Sequence, residues 1–126
     1  MRITLVFLIL TVSCNNLNKK IDYDFETRFE TSEGLETATY EQTIKFYTNL
    51  AKAYPEISIQ AIGETDSGKP LHIITLNTDA KFDFAEIRKT KRIILINNGI
   101  HPGESDGIDA SMILFRNLVN GHIETP

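Results

Sequence analysis

A short, strongly apolar run from Ile93 to Ile96 is the feature that most constrains how this chain can fold. Consecutive apolar residues bury side chains on both faces of a strand, which is typical of a central strand covered on each side by helices. A polar Asn-Asn-Gly sequence, residues 97–99, ends the run, and a Pro-Gly turn follows closely. We therefore predict a layered α/β fold in which this turn lies at the carboxyl end of a buried strand, where such sheets bind ligands.

The turn itself, His-Pro-Gly-Glu at residues 101–104, carries two metal-binding side chains. A type II turn places Pro second and Gly third, and holds its first and fourth Cα atoms within about 7 Å. Imidazole and carboxylate groups are common zinc ligands, and a catalytic zinc typically has three protein ligands. His101 and Glu104 are therefore predicted to be two of the three. The alternative is an ordinary surface turn with Pro-Gly chemistry.

The segments before this turn predict a helix and a hairpin. The helix begins near Thr39, where Thr39 and Gln42 have capping-box spacing, and ends at Pro55. Apolar and polar residues alternate over residues 57–63, and a second strand is predicted over 71–77. A turn rich in Ser, Gly and Pro separates the two strands, which favours a hairpin. A polar connection with a short helical turn leads from the hairpin to the apolar run.

A second long helix is predicted after the turn at residues 101–104, which we call the metal turn. Ser105 or Asp106 is expected to cap this helix, and Gly121 to end it. His72 lies in a predicted strand without an acidic or thiol partner at ligand spacing, so we interpret it as an ordinary strand residue. His122 lies near a helix end and is not expected to be a ligand. Residues proposed to orient the metal ligands share a position beside the turn: Asn97, Asn98, Ser105 and Asp106.

The first fourteen residues form a separate unit. Arg2 precedes an apolar run from Ile3 to Leu10, which is typical of a secretory signal and too short to span a bilayer as a helix. A buried N-terminal strand is the alternative. The sequence Thr-Val-Ser-Cys resembles the lipobox of bacterial lipoproteins, which implies lipidation of Cys14 and an exported, periplasmic or membrane-anchored protein. Thr11 departs from the usual Leu of that motif.

Residues 15–37 are polar and acidic, and predict a tether that leads into a domain spanning residues 38–126. Tyr23, Phe25 and Phe29 either dock on that domain or lie in a loose segment. The formal charge of −4 and the pI near 5.3 argue against a nucleic-acid binder, which usually carries a basic face. Contact with a membrane is expected only through the lipid anchor at Cys14.

Two stretches resemble the zinc carboxypeptidases related to carboxypeptidase A. They are "IGETDSGKPLHIITLN", similar to the strand-turn-strand of that family, and "RIILINNGIHPGES", similar to its zinc-binding strand and loop. The resemblance implies that His101 and Glu104 bind Zn²⁺, as in the H-x-x-E loop of the family. It also implies a mixed sheet sandwiched between helices, and hydrolysis of a terminal peptide bond by zinc-activated water.

The family also requires a second zinc-binding His and a general-base Glu, which lie well downstream in its pattern. The resemblance therefore implies that residues 38–126 are the N-terminal part of a catalytic domain, with no general base in this chain. The expected substrate is a peptide or a peptidoglycan peptide. Two alternatives remain: a zinc amidohydrolase or deacylase with a related H-x-x-E loop, and a non-catalytic surface lipoprotein that retains the fold.

Overall fold

Two long helices and a β-hairpin make up most of the structure, a computed structural model that describes residues 23–125. The elements, in chain order, are α1 (Arg28–Thr31), α2 (Tyr40–Ala53), β1 (Ile57–Glu64), β2 (Pro70–Leu76), α3 (Phe84–Ile87) and α4 (Asp106–Val119). The predicted signal sequence and Cys14 lie outside the described residues. Between residues 23 and 125, no helix is both long and apolar enough to cross a membrane.

Helix α2 begins with the capping box that the sequence predicts. The Gln42 backbone N–H donates to the Thr39 hydroxyl, and the Thr39 backbone N–H donates to the Gln42 side chain at 2.8 Å. These bonds satisfy two backbone N–H groups at a helix start that otherwise have no partner. The helix ends at Ala53, shortly before Pro55, so the predicted helix is confirmed.

The predicted hairpin is also confirmed. Strands β1 and β2 pair antiparallel, with Ile57 opposite Leu76, and a bulge lies between Ala61 and Gly63. Within the described part of the chain these two strands form a two-stranded sheet. One face of the hairpin packs on α2, which buries Ile57 and leaves the far end of the hairpin in solvent.

The hydrophobic core lies where α2, α4 and the hairpin meet. Its most buried members are Leu50, Phe46 and Met112, at 0%, 2% and 2% exposed. Burying an apolar side chain of this size stabilises the folded state by about 1.5–3 kcal/mol. Phe46 and Tyr47 pack edge to face at 5.4 Å between ring centres, an arrangement that aromatic rings prefer.

The apolar run at residues 93–96 does not form the predicted buried strand. Ile94 and Leu95 are 80% and 83% exposed, and the run pairs with neither strand of the hairpin. A central strand requires hydrogen-bonded neighbours on both edges and packed layers on both faces, and the described residues supply neither. The mixed sheet between helices is therefore present only in part, as a two-stranded antiparallel sheet beside helices.

The described part of the predicted tether, residues 23–37, packs on the domain instead of lying loose. Phe25 stacks edge to face on Phe46 at 5.8 Å. Thr27, which is 1% exposed, and Glu30 form a capping box at the start of α1. The Glu30 carboxylate accepts two hydrogen bonds from the Arg116 guanidinium on α4, at 2.7 and 2.8 Å. Docking is thus observed for Tyr23 and Phe25, whereas Phe29 is 41% exposed and does not join the core.

A second polar contact ties Ala38, directly after this segment, to the first turn of α4. The Ala38 backbone N–H donates to Oδ1 of Asp109 at 3.2 Å. Asp109 is 3% exposed, its Oδ2 has no hydrogen-bond partner among the described residues, and burial raises the pKa of its carboxyl group. Asp109 and Arg116 are seven residues apart, about two helical turns, and so lie on one face of α4.

The Glu30 carboxylate predicts a specific loss of stability in acid. The Arg116 guanidinium holds the pKa of Glu30 at about 2, below its ordinary value of 4.5. Because the pKa of Glu30 is lower in the folded state than in the unfolded state, its ionised carboxylate stabilises the fold above about pH 4.5. This stabilisation is lost as the pH falls toward 2. Glu30→Gln should lower the free energy of unfolding by about 1–3 kcal/mol at pH 7. The free energy of unfolding of this variant should then fall less steeply between about pH 4.5 and 2.

Urea denaturation followed by circular dichroism between pH 2 and 7 measures this effect. Glu36→Gln is the matched control, because Glu36 pairs with Arg28 on the surface, where both side chains are largely exposed. Exposed ion pairs contribute about 0–1 kcal/mol. Equal losses in the two variants would show that the Glu30–Arg116 pair has no special role.

Candidate metal site

The His-Pro-Gly-Glu turn has the backbone geometry that its sequence predicts. Gly103 has a φ of +84°, the left-handed value required at the third position of a type II turn. The Glu104 N–H donates to the His101 carbonyl at 3.3 Å and closes the turn. No atom lies within 4 Å of a Cβ built at Gly103, so its backbone conformation alone favours glycine there.

The two predicted ligands converge across this turn. Nδ1 of His101 lies 3.1 Å from both carboxylate oxygens of Glu104. The two side chains are 67% and 61% exposed, so they face solvent at the start of α4. Tertiary packing does not bury this pair. The turn itself brings the nitrogen and the carboxylate together.

The separation of these donor atoms fits a zinc ion. Ligand nitrogen and oxygen atoms lie about 2.0–2.2 Å from zinc, so two ligands of a tetrahedral site are roughly 3.4 Å apart. His101 and Glu104 therefore match half of a tetrahedral ligand set. Within residues 23–125, however, no group of three His, Cys, Asp or Glu residues is placed to hold a metal. The described residues therefore bring together two potential ligands and no third.

The other two histidines lie elsewhere. His72 is in β2, with its Nδ1 3.4 Å from the Tyr40 hydroxyl, and His122 is exposed beyond the end of α4. Neither joins His101 and Glu104 in a metal-binding group.

Of the residues proposed to orient the ligands, Asn98 has a different partner. The Asn98 side chain donates to the Ser111 hydroxyl at 2.6 Å. Ser105 is the N-cap of α4, but its side chain makes no capping hydrogen bond. The side-chain contact of His101 is with Glu104 and with none of these residues.

The sequence patterns did not indicate two features that hold α4 in place. These are the Asn98–Ser111 hydrogen bond and the Glu30–Arg116 pair. Thr27 and Glu30 do have capping-box spacing, which could have identified α1. No local signal could have identified Arg116 as the partner, because it lies 86 residues away.

The fold and the turn together define an α/β domain with an exposed turn on which an imidazole and a carboxylate converge. Comparison with protein families identifies the family: the zinc carboxypeptidase model matches residues 43–126. This match covers more than half of the chain and includes most of α2, the hairpin, the metal turn and α4. The chain therefore belongs to the zinc carboxypeptidase family. No curated protein and no solved structure matches it.

Two glycines beside the site should differ in how much stability is lost when each is replaced by alanine. Gly99 and Gly103 both have positive φ, so alanine at either position costs roughly 1–2 kcal/mol of backbone strain. A Cβ at Gly99 would also lie 2.8 Å from Cδ1 of Ile108, whereas Gly103 faces open space. Gly99→Ala should therefore destabilise the fold by about 0.5–1.5 kcal/mol more than Gly103→Ala, because the end of the Ile108 side chain has to leave its preferred rotamer.

Chemical denaturation midpoints of the two variants test this difference, and each variant serves as the control for the other. Addition of Ile108→Val should recover part of the Gly99→Ala loss, because Val lacks Cδ1. Equal midpoints for Gly99→Ala and Gly103→Ala would contradict the close approach of Gly99 to α4.

Proposed function

We propose that this chain contributes to a zinc-dependent metallocarboxypeptidase that hydrolyses a terminal peptide bond. The observation that carries the proposal is the convergence of His101 Nδ1 and the Glu104 carboxylate, 3.1 Å apart, in a chain that belongs to the zinc carboxypeptidase family. Family membership supports the class of chemistry. The geometry of the turn supports the assignment of the ligand role to His101 and Glu104.

His101 and Glu104 have the role of ligands in this proposal. When bound, zinc supplies Lewis-acid polarisation of a carbonyl and lowers the pKa of water toward about 7. To bind zinc through Nδ1, the His101 ring would be neutral with its proton on Nε2, because Nδ1 then offers its lone pair to the metal. Glu104 is not the general base, since a carboxylate that binds zinc retains little basicity for proton abstraction.

The other catalytic groups are proposed to come from outside the described residues. A third ligand and a general-base Glu are needed, and residues 23–125 place no third acidic, thiol or imidazole group beside the turn. The exposure of His101 and Glu104 is consistent with a site that is completed by other parts of the enzyme. Zinc is the proposed cofactor, and a peptide or a peptidoglycan peptide is the proposed substrate.

The proposed location is outside the cytoplasm, as a periplasmic or membrane-anchored lipoprotein. The support is the apolar run from Ile3 to Leu10, which is followed by the lipobox-like sequence ending at Cys14. A peptidase attached there would reach peptides of the cell envelope without crossing a membrane. The peptidoglycan peptide is then a substrate available in the same compartment.

Zinc titration of the chain, followed by NMR of its imidazole rings, tests the metal site. We expect zinc to shift the His101 ring signals and to leave those of His72 and His122 in place. His101→Ala and Glu104→Ala should each weaken binding by more than the roughly 10–100-fold typical of losing an outer-shell partner.

His72→Ala and His122→Ala are the matched controls, because each removes an imidazole that lies away from the turn. Both should bind zinc as the unmodified chain does. Unchanged affinity in His101→Ala and Glu104→Ala would refute the assignment.

Lipidation has an independent test in a bacterial host that processes lipoproteins. Labelled palmitate should be incorporated into the unmodified chain and not into Cys14→Ser, because Cys14 is the only thiol. Ser13→Ala, which keeps the thiol, is the control. A label retained by Cys14→Ser would exclude the proposed anchor.

A further inference from the structure

A hydrogen bond joins the two sides of the metal turn at its base. Nδ2 of Asn98 donates to Oγ of Ser111 at 2.6 Å. Asn98 lies three residues before His101, and Ser111 lies in the second turn of α4. The bond therefore connects the chain that enters the metal turn to the helix that leaves it.

Gly107 makes this contact feasible. A Cβ at Gly107 would lie 2.5 Å from Oδ1 of Asn98, a distance that real Cβ contacts essentially never show. Glycine inside a helix costs about 1 kcal/mol relative to alanine, and Gly107 is the second residue of α4. The close approach of Asn98 to the helix explains a glycine at this position.

Gly99 strengthens the same junction from the other side. Its φ is +63°, and a Cβ there would collide with the side chain of Ile108. Residues 98 and 99 thus lie directly against residues 107, 108 and 111. We call the Asn98–Ser111 hydrogen bond, with Gly107 beneath it, the clasp.

The clasp matters because little else holds the metal turn. His101 and Glu104 are mostly exposed, and their turn has one backbone hydrogen bond, at 3.3 Å. The positions of the two ligands therefore depend on how firmly the ends of the loop are joined. Metal ligands held in place before binding lose less conformational freedom when the metal binds.

We propose that Asn98 and Ser111 are positioning residues that hold His101 and Glu104 in their zinc-binding arrangement. This proposal rests on the proposed function for its zinc, but its structural part concerns the metal-free chain. Neither residue touches the metal or the substrate in this scheme. Both act through the loop that carries the ligands.

Ser111→Ala tests the clasp, because it removes the hydroxyl that accepts from Asn98. In the metal-free chain, NMR solvent exchange of the Glu104 amide should become faster, since that amide closes the turn. In the zinc titration, the dissociation constant read from the His101 ring should rise about 10-fold. Ser111→Thr keeps a hydroxyl and should restore both values to near those of the unmodified chain.

Ala110→Gly is the control for a purely structural effect. Ala110 is the exposed neighbour of Ser111, so glycine there weakens α4 without removing a contact of Asn98. We expect a lower melting temperature, with Glu104 exchange and the zinc dissociation constant close to those of the unmodified chain.

Two results would overturn the proposal: no change in Glu104 exchange with Ser111→Ala, or equal changes with Ser111→Ala and Ala110→Gly. A different result separates it from the proposed function. If zinc does not shift the His101 ring in the unmodified chain, the two ligands do not hold zinc by themselves. The Glu104 exchange of the metal-free variants then decides whether the clasp holds the turn.

Discussion

The packing of α2 on α4 is the contact on which the rest of the described structure depends. Leu50 on α2 and Met112 on α4 are almost fully buried, and the hairpin covers the same core through Ile57. Apolar burial of this kind is the main favourable contribution to folding. Because the metal turn leads directly into α4, a shift of this helix would also move His101 and Glu104.

Polar contacts at three positions along α4 then fix its placement against the neighbouring segments. Arg116 binds the Glu30 carboxylate, Asp109 accepts from a backbone N–H before α2, and Ser111 accepts from Asn98. Because hydrogen bonds are directional, they fix the position and rotation of the helix more specifically than apolar packing does. The N-terminal segment, which follows the predicted lipid anchor, is thereby part of the same unit as the metal turn.

Family and function have different support in this protein. The family rests on a match over residues 43–126, whereas the proposed metal role of His101 and Glu104 rests on the geometry of one turn. A fold by itself does not establish an activity, because activity depends on the groups in the site. Here the described residues bring together two groups suited to binding a metal and place no third beside them, so the activity is a proposal that goes beyond family membership.

The sequence by itself determined the local features: the capping box at Thr39, the hairpin, and the turn that brings His101 to Glu104. Each of these depends on residues a few positions apart, so backbone preferences and short-range hydrogen bonds suffice. Only the tertiary structure decided that Glu30 pairs with Arg116 and that the run at residues 93–96 is exposed. An apolar run favours burial, but whether it is buried depends on whether other segments of the fold cover it.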